Sequence, residues 1–145
     1  MKGALVDTGF LVALFRRKDR LSAAAREHLR AYTYALATVT PVITETCFFL
    51  DPAGKSNLLE WVVRGGITVA DVPVEAYRDI KAYIGKYADR DIDFADAALL
   101  WFATVIGCRS ILTVDVGDFS VYRLKGNKRF DVVSWMGEKA TSIRR

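Results

Sequence analysis

The chain has 145 residues, enough for one domain with a sizeable core that needs no disulfide or metal staple. Its composition, 52% hydrophobic and 26% charged, is that of a soluble globular protein, and no apolar run approaches the roughly 18 residues that span a membrane. The net charge of +4 and the pI near 9.2 permit a polyanionic partner without requiring one.

In chain order, residues 4–6 read as a short buried strand and residues 9–15 as a helix. That helix is ended by the charged cluster Arg16, Arg17, Lys18, Asp19 and Arg20. The apolar N-terminus is split by Asp7 and lacks the order of a signal peptide. Ser22 caps a helix to Arg30. Residues 34–39 form a second strand. Thr40-Pro41 opens a helix to Leu50, with a capping hydroxyl followed by proline at the first helical position. Asp51-Pro52-Ala53-Gly54 breaks it, and residues 56–64 are helical up to the Gly65-Gly66 stop. A third strand covers 67–71, an amphipathic helix 74–87, and an apolar helix 93–105 closed by Gly107. Residues 110–114 form a fourth strand that ends at Asp115, and 130–133 a short last one. The expected domain is 1–137, and the tail 138–145 is polar and frayed. Short apolar strands alternating with helices predict a parallel sheet with helices on both faces. In such folds ligands bind beyond the carboxyl ends of the strands.

Two of those ends carry aspartates, Asp7 and Asp115. Glu45 in ITETCFFL and Asp96 in DIDFADAALLWFA lie on helices between apolar neighbours. Each has a purely structural reading. Asp7 can cap the next helix, Asp93 can be an N-cap with Asp96 at N3, Asp115 or Asp118 can make an Asx-turn, and Glu45 can pair with a base. Together, several carboxylates at one sheet edge repel one another unless some protonate or a cation neutralises them. An all-oxygen donor set suits Mg²⁺, or Mn²⁺. Zinc is disfavoured: Cys47 and Cys108 have no ligand spacing, and His28, the one histidine, reads as a solvated helix residue. The cysteines suit a reducing compartment, so a cytoplasmic protein is expected.

One histidine excludes a two-histidine acid–base nuclease within one chain. There is no GxSxG elbow, no GxxxxGK[ST] loop, and no GxGxxG after the first strand. Metal-assisted hydrolysis of a phosphodiester remains. A dehalogenase-like phosphotransferase needs an aspartate two residues after Asp7, where Gly9 stands, and a receiver domain usually needs a lysine after the last-but-one strand, whereas none follows Phe130 until Lys139.

The segment KYADRDIDFADAALLWFATVIGCRSILTVDVGDFSVYR (86–123) joins an aspartate-rich turn, an ADA helix and a T-x-D-x-x-D-F strand end. With VDTGFLVALF and TPVITET, it resembles the PIN-domain ribonucleases, in particular VapC-type toxins of toxin–antitoxin pairs. The resemblance spans nearly the whole chain. It departs from the family at Asp91-Ile92-Asp93, where a proline is usual, which implies a slightly different turn. The resemblance implies an α/β fold, a three-layer α/β/α sandwich with a mainly parallel central sheet, and a magnesium-dependent endoribonuclease. Matched by position, Asp7, Glu45, Asp96 and Asp115 form the acidic quartet. Asp7, Asp96 and Asp115 then hold the metal and Glu45 handles the attacking water. Thr8, Asp93, Thr113 and Asp118 are supporting positions. The implied partners are an RNA substrate, a cognate antitoxin and a second copy in a homodimer. The alternative is a silent PIN-like module that binds metal, RNA or peptide without turnover. Arg16, Arg17, Lys18 and Arg20, and the later cluster Arg123, Lys125, Lys128 and Arg129, are candidate phosphate contacts. Phe48, Phe49, Trp61, Tyr83 and Trp101 read as core or interface.

Overall fold

The computed structural model describes residues 3–137. The expected frayed tail lies outside them. Five short strands make one parallel sheet: β1 (Gly3–Val6), β2 (Ala35–Val39), β3 (Thr68–Ala70), β4 (Ser110–Leu112) and, last in chain order, β7 (Asp131–Val132). Their order across the sheet is β3-β2-β1-β4-β7. The register pairs Leu5 with both Ala37 and Ile111. The chain thus builds outward from β1 to β3, then crosses back to lay β4 on the other side of β1. That reversal lies between β1 and β4, the place where a parallel sheet opens a crevice.

Seven α-helices flank the sheet among the described residues: α1 (Thr8–Phe15), α2 (Ser22–Ala31), α3 (Thr40–Phe48), α4 (Pro52–Val63), α5 (Tyr77–Lys86), α6 (Phe94–Ile106) and α7 (Val116–Val121). The arrangement is the expected three-layer α/β/α sandwich. Strands this short and apolar are stable only when both faces are covered. Leu5, Val6, Ile111 and Leu112 are fully buried, together with Phe10 and Leu11 of α1 and Leu99 and Leu100 of α6. Each such side chain contributes about 1.5–3 kcal/mol of burial.

Several boundaries differ from expectation for identifiable reasons. The helix expected from Ser56 starts at Pro52, because Asp51 caps it by accepting the Gly54 amide at 2.7 Å. The Asp-Pro pair read as a breaker is a helix start. The Thr40 hydroxyl does not cap α3; it donates to Asp71 Oδ1 at 2.9 Å, beyond β3. Residues 74–87 split into a 3₁₀ turn (Val74–Ala76) and α5. Helix α7, expected as an Asx-turn, and the hairpin of β5 (Arg123–Leu124) and β6 (Lys128–Arg129) are additional elements. His28 is buried rather than solvated. Its Nε2 shares a hydrogen bond with Tyr34 OH, and its ring meets Phe10 edge-on at 6.5 Å. Ala25 and His28 form the inward face of α2. No helix among the described residues is long and apolar enough to cross a membrane.

Candidate active site

Asp7 is delivered by the end of β1. Its amide donates to Leu112 O of β4 at 3.0 Å, and the preceding carbonyl, Val6 O, accepts the buried Thr38 hydroxyl at 2.7 Å. The carboxylate is 2% exposed. Its Oδ1 accepts the Thr8 amide and its Oδ2 the Thr113 hydroxyl, both at 2.8 Å. Asp7 therefore caps α1 and faces the crevice at once, so its structural role as a cap leaves it in the cleft as well. Thr113 also accepts the Asp115 amide at 2.9 Å, and its carbonyl accepts Trp135 Nε1 at 3.0 Å. One buried threonine thus ties Asp7 to the turn that carries Asp115. Gly9 makes this closeness possible: a Cβ there would stand 2.2 Å from Val114 Cγ2, inside any van der Waals limit.

The other acidic residues come from α3, α6 and α7. Glu45 projects from α3, partly buried. Asp93 caps α6 by accepting the Asp96 amide at 2.8 Å, as the N-cap reading anticipates. Asp96 does not return the bond; its Oδ2 accepts the Tyr122 hydroxyl at 3.3 Å. Asp118, in the first turn of α7, pairs with Arg90 at 2.7 Å. Arg90 ends a 3₁₀ turn (Ala88–Arg90), and Asp91 after it is left-handed at φ 51°. A non-glycine residue costs energy in that region, so the turn that aims Arg90 is held by its surroundings.

These side chains line one cleft of about 710 Å³. Acidic Asp7, Asp19, Glu45, Asp91, Asp93, Asp96, Asp115 and Asp118 face basic Arg16, Lys18, Arg20 and Arg90 there. The excess of carboxylates shows in their titration. Burial, against the Thr113 and Thr8 bonds, pushes Asp7 up from 3.8 to about 7, with further push from Asp115 and Glu45. Burial and then the charges of Asp7, Asp93 and Asp115 push Asp96 up to about 9. Glu45 is raised by burial and by Asp93 and Asp115. A site that resists ionising its own acids is one that a cation stabilises.

Among the described residues, no three Asp, Glu, His or Cys side chains already close around one point as a finished ligand set. That arrangement still fits Mg²⁺, which keeps several waters and takes only one or two carboxylates directly. Thr8 Oγ1 adds to the fit. It is buried without a completed hydrogen bond, near enough to Glu45 only to ease that group's ionisation. A cleft-bound water would give it a partner.

The sequence pattern of the PIN domain matches residues 4–124, most of the chain. This chain belongs to the PIN domain family. It is similar to Ribonuclease VapC26 of Mycobacterium tuberculosis (strain ATCC 25618 / H37Rv), with 27% identity over 133 residues, 89% of this chain and 98% of that protein. Its fold is similar to the crystal structure of Mycobacterium tuberculosis VapC20, described as a Sarcin-Ricin loop cleaving toxin. The TM-score is 0.66, with 18% identity, over 74% of this chain and 86% of that one.

Against the sequence expectations for this PIN domain, Asp7, Thr8, Glu45, Asp93, Asp96, Asp115 and Asp118 all line the cleft, and Thr113 supports it from beneath. Asp115 is the most open of the quartet, at the solvent edge rather than the core edge. Of the basic candidates, Arg16, Lys18 and Arg20 reach the cleft, whereas Arg17 lines a separate groove with Arg26 and Trp61. Arg123 does not line the cleft; its guanidinium donates to the carbonyls of Ser120, Val121 and Tyr122 and closes off α7. Lys125 sits on the exposed hairpin loop. Phe49, expected in the core or an interface, is half exposed on the cleft wall. Sequence reasoning missed Arg90, Tyr122, Gly9 and Trp135. Arg90 carried a signal in KYADRD, a lone base among acids; Tyr122 carried none.

Proposed function

We propose that this PIN domain is a Mg²⁺-dependent endoribonuclease of the cytoplasm, with Mn²⁺ able to substitute, and that it is the toxin of a toxin–antitoxin pair. The observation that carries the proposal is the convergence of Asp7, Glu45, Asp96 and Asp115 on one cleft at the β1–β4 crevice. There burial, reinforced by neighbouring charges, holds the carboxyls of Asp7, Glu45 and Asp96 above their ordinary range. The similar proteins named a ribonuclease and a Sarcin-Ricin loop cleaving toxin support the substrate class.

Asp7 and Asp96 would hold the metal directly, with Asp115 joining directly or through a water. When bound, it supplies Lewis acidity at a phosphoryl oxygen and lowers the pKa of its water. Thr113 and the Thr8 amide fix both oxygens of Asp7, so this ligand is oriented before any ion arrives. Glu45, partly buried beside Thr8, would take the proton of the attacking water. Arg16, Lys18 and Arg20 offset the acidic floor and hold the RNA backbone on either side of the cut. Exposed Phe48, Leu59 and Val63 give α3 and α4 the apolar surface that an antitoxin or a second copy would cover.

Purified protein free of any partner is incubated with total RNA in Mg²⁺, Mn²⁺ or EDTA. Discrete cleavage that requires metal, and that Asp7→Asn and Asp96→Asn abolish without unfolding the chain, is the expected result. Undiminished cutting by both variants places the chemistry elsewhere. Metal binding without any cleavage favours the silent module.

A further inference from the structure

We propose that Tyr122 is a positioning residue that makes Asp96 bind a divalent cation through a single oxygen, and so biases this cleft toward Mg²⁺ and against Ca²⁺. The inference rests on the metal reading above and adds a source of ion selectivity to it.

Tyr122 is 1% exposed, yet its hydroxyl lies 3.3 Å from Asp96 Oδ2, to which it donates. The ring has little freedom to swing away. Tyr87 meets it edge-on at 4.9 Å and Phe119 at 5.1 Å, and Phe119 in turn rests on Phe130 at 5.3 Å. The backbone on both sides is fixed as well. The Tyr122 amide donates to Asp118 O at 3.0 Å, and the next amide, Arg123 N, donates to Tyr87 OH at 2.7 Å. The three Arg123 bonds to the carbonyls of residues 120–122 close the same turn. The phenol is therefore a fixed donor aimed at one oxygen of one carboxylate.

That fixity matters differently to the two ions. Mg²⁺ demands near-octahedral geometry and takes carboxylates through one oxygen each. Ca²⁺ gathers six to eight oxygens and readily takes a carboxylate through both. With Oδ2 held by Tyr122, Asp96 offers Oδ1 freely. Drawing Oδ2 onto the same ion would crowd and loosen the Tyr122 hydrogen bond, a cost that the single-oxygen mode avoids. Asp96 is thus a pre-oriented single-oxygen ligand, which suits the smaller ion.

The test is calorimetric titration of the RNA-free wild-type protein and of Tyr122→Phe, with MgCl₂ and separately with CaCl₂. The variant keeps the ring and its aromatic contacts and loses only the hydroxyl. Mg²⁺ affinity is expected to fall roughly tenfold or more, the usual effect of removing a group that orients a ligand. Ca²⁺ affinity should fall less or rise, so the Mg²⁺/Ca²⁺ preference shrinks. A purely structural role would weaken both ions alike, and that result overturns the inference, as does unchanged Mg²⁺ binding. If the wild-type protein binds no Mg²⁺ at all, the metal reading of the site falls with it. Should the variant fail to fold by circular dichroism, a crystal structure of the Mn²⁺-loaded wild-type protein decides. Asp96 bound through one oxygen, with Tyr122 on the other, supports the inference; bidentate Asp96 or a displaced phenol overturns it.

Discussion

Asp96→Asn should stabilise the metal-free protein while it destroys the site. Folding holds a proton on Asp96 that the unfolded chain releases near pH 3.8, because the folded carboxyl titrates only at about 9. The stability linked to that proton is complete below the unfolded value and is lost progressively as pH rises toward the folded one. At about pH 8, roughly four units above the unfolded value, ~1.36 kcal/mol per unit gives an upper limit of about 6 kcal/mol. Water reaching a carboxyl at the cleft edge, and proton sharing with Asp7, reduce this to about 2–3 kcal/mol. Asparagine carries no proton to lose and still accepts the Tyr122 hydroxyl. The variant should therefore melt roughly 5–10 °C above wild type near pH 8 in EDTA, with the gap closing toward pH 4. Circular dichroism melts across that range read it directly. Saturating Mg²⁺ should reverse the order, since an ion that binds only the folded wild-type chain stabilises that chain alone. Parallel melting curves for the two proteins at every pH, or a less stable variant at pH 8, would refute the picture of mutually destabilising carboxylates.

Three further outcomes follow from the same geometry. Gly9→Ala should cost about 1–3 kcal/mol and depress cleavage, because the new methyl forces α1 away from Val114 and parts Asp7 from the Asp115 turn; a melt and a rate assay at saturating Mg²⁺ check both, and a variant as stable and active as wild type contradicts it. Lys18→Ala and Arg20→Ala should each weaken RNA binding and lower the slope of log affinity against log salt by about 0.7, whereas Lys125→Ala, away from the cleft, should leave the slope alone; anisotropy with the inactive Asp96→Asn background separates these. Phe49→Ala should raise the apparent KM by about 1–3 kcal/mol of lost base stacking and spare the fold, since Phe49 is 54% exposed on the cleft wall; an unchanged KM would return Phe49 to a protein interface.

The sheet and the meeting of Asp7, Glu45, Asp96 and Asp115 at one cleft were legible because both rest on local pattern. Apolar runs of four to six residues ending in aspartate encode a strand and its carboxyl-end residue together, and Asp93 announced its own helix by capping it. What escaped was set by contacts between distant segments. Arg90 reaches Asp118 across 28 positions, and Tyr122 reaches Asp96 across 26. His28 looked solvated because its neighbours are charged; only the packing of α2 on Phe10 and Tyr34 turns it inward. Asp51-Pro52 was misjudged for the opposite reason, since a capping aspartate before proline begins a helix as readily as it ends one. Helix α7 has six residues, too few for any periodic signal, and owes its existence to Phe119 and Tyr122 in the aromatic row.

The reversal of strand order also sets a timetable. β1 completes its pairing only when β4 arrives, and the Thr113 hydroxyl that holds Asp7 lies 106 positions downstream. Trp135, which anchors Thr113 through its carbonyl, comes later still. A nascent chain leaving the ribosome therefore carries Asp7 and Glu45 long before it carries a cleft. Non-local parallel pairing of this kind is closed late in folding. If the proposed RNA cleavage holds, synthesis itself becomes a safety interval: the messenger being translated is not exposed to a finished site until nearly the whole domain has emerged.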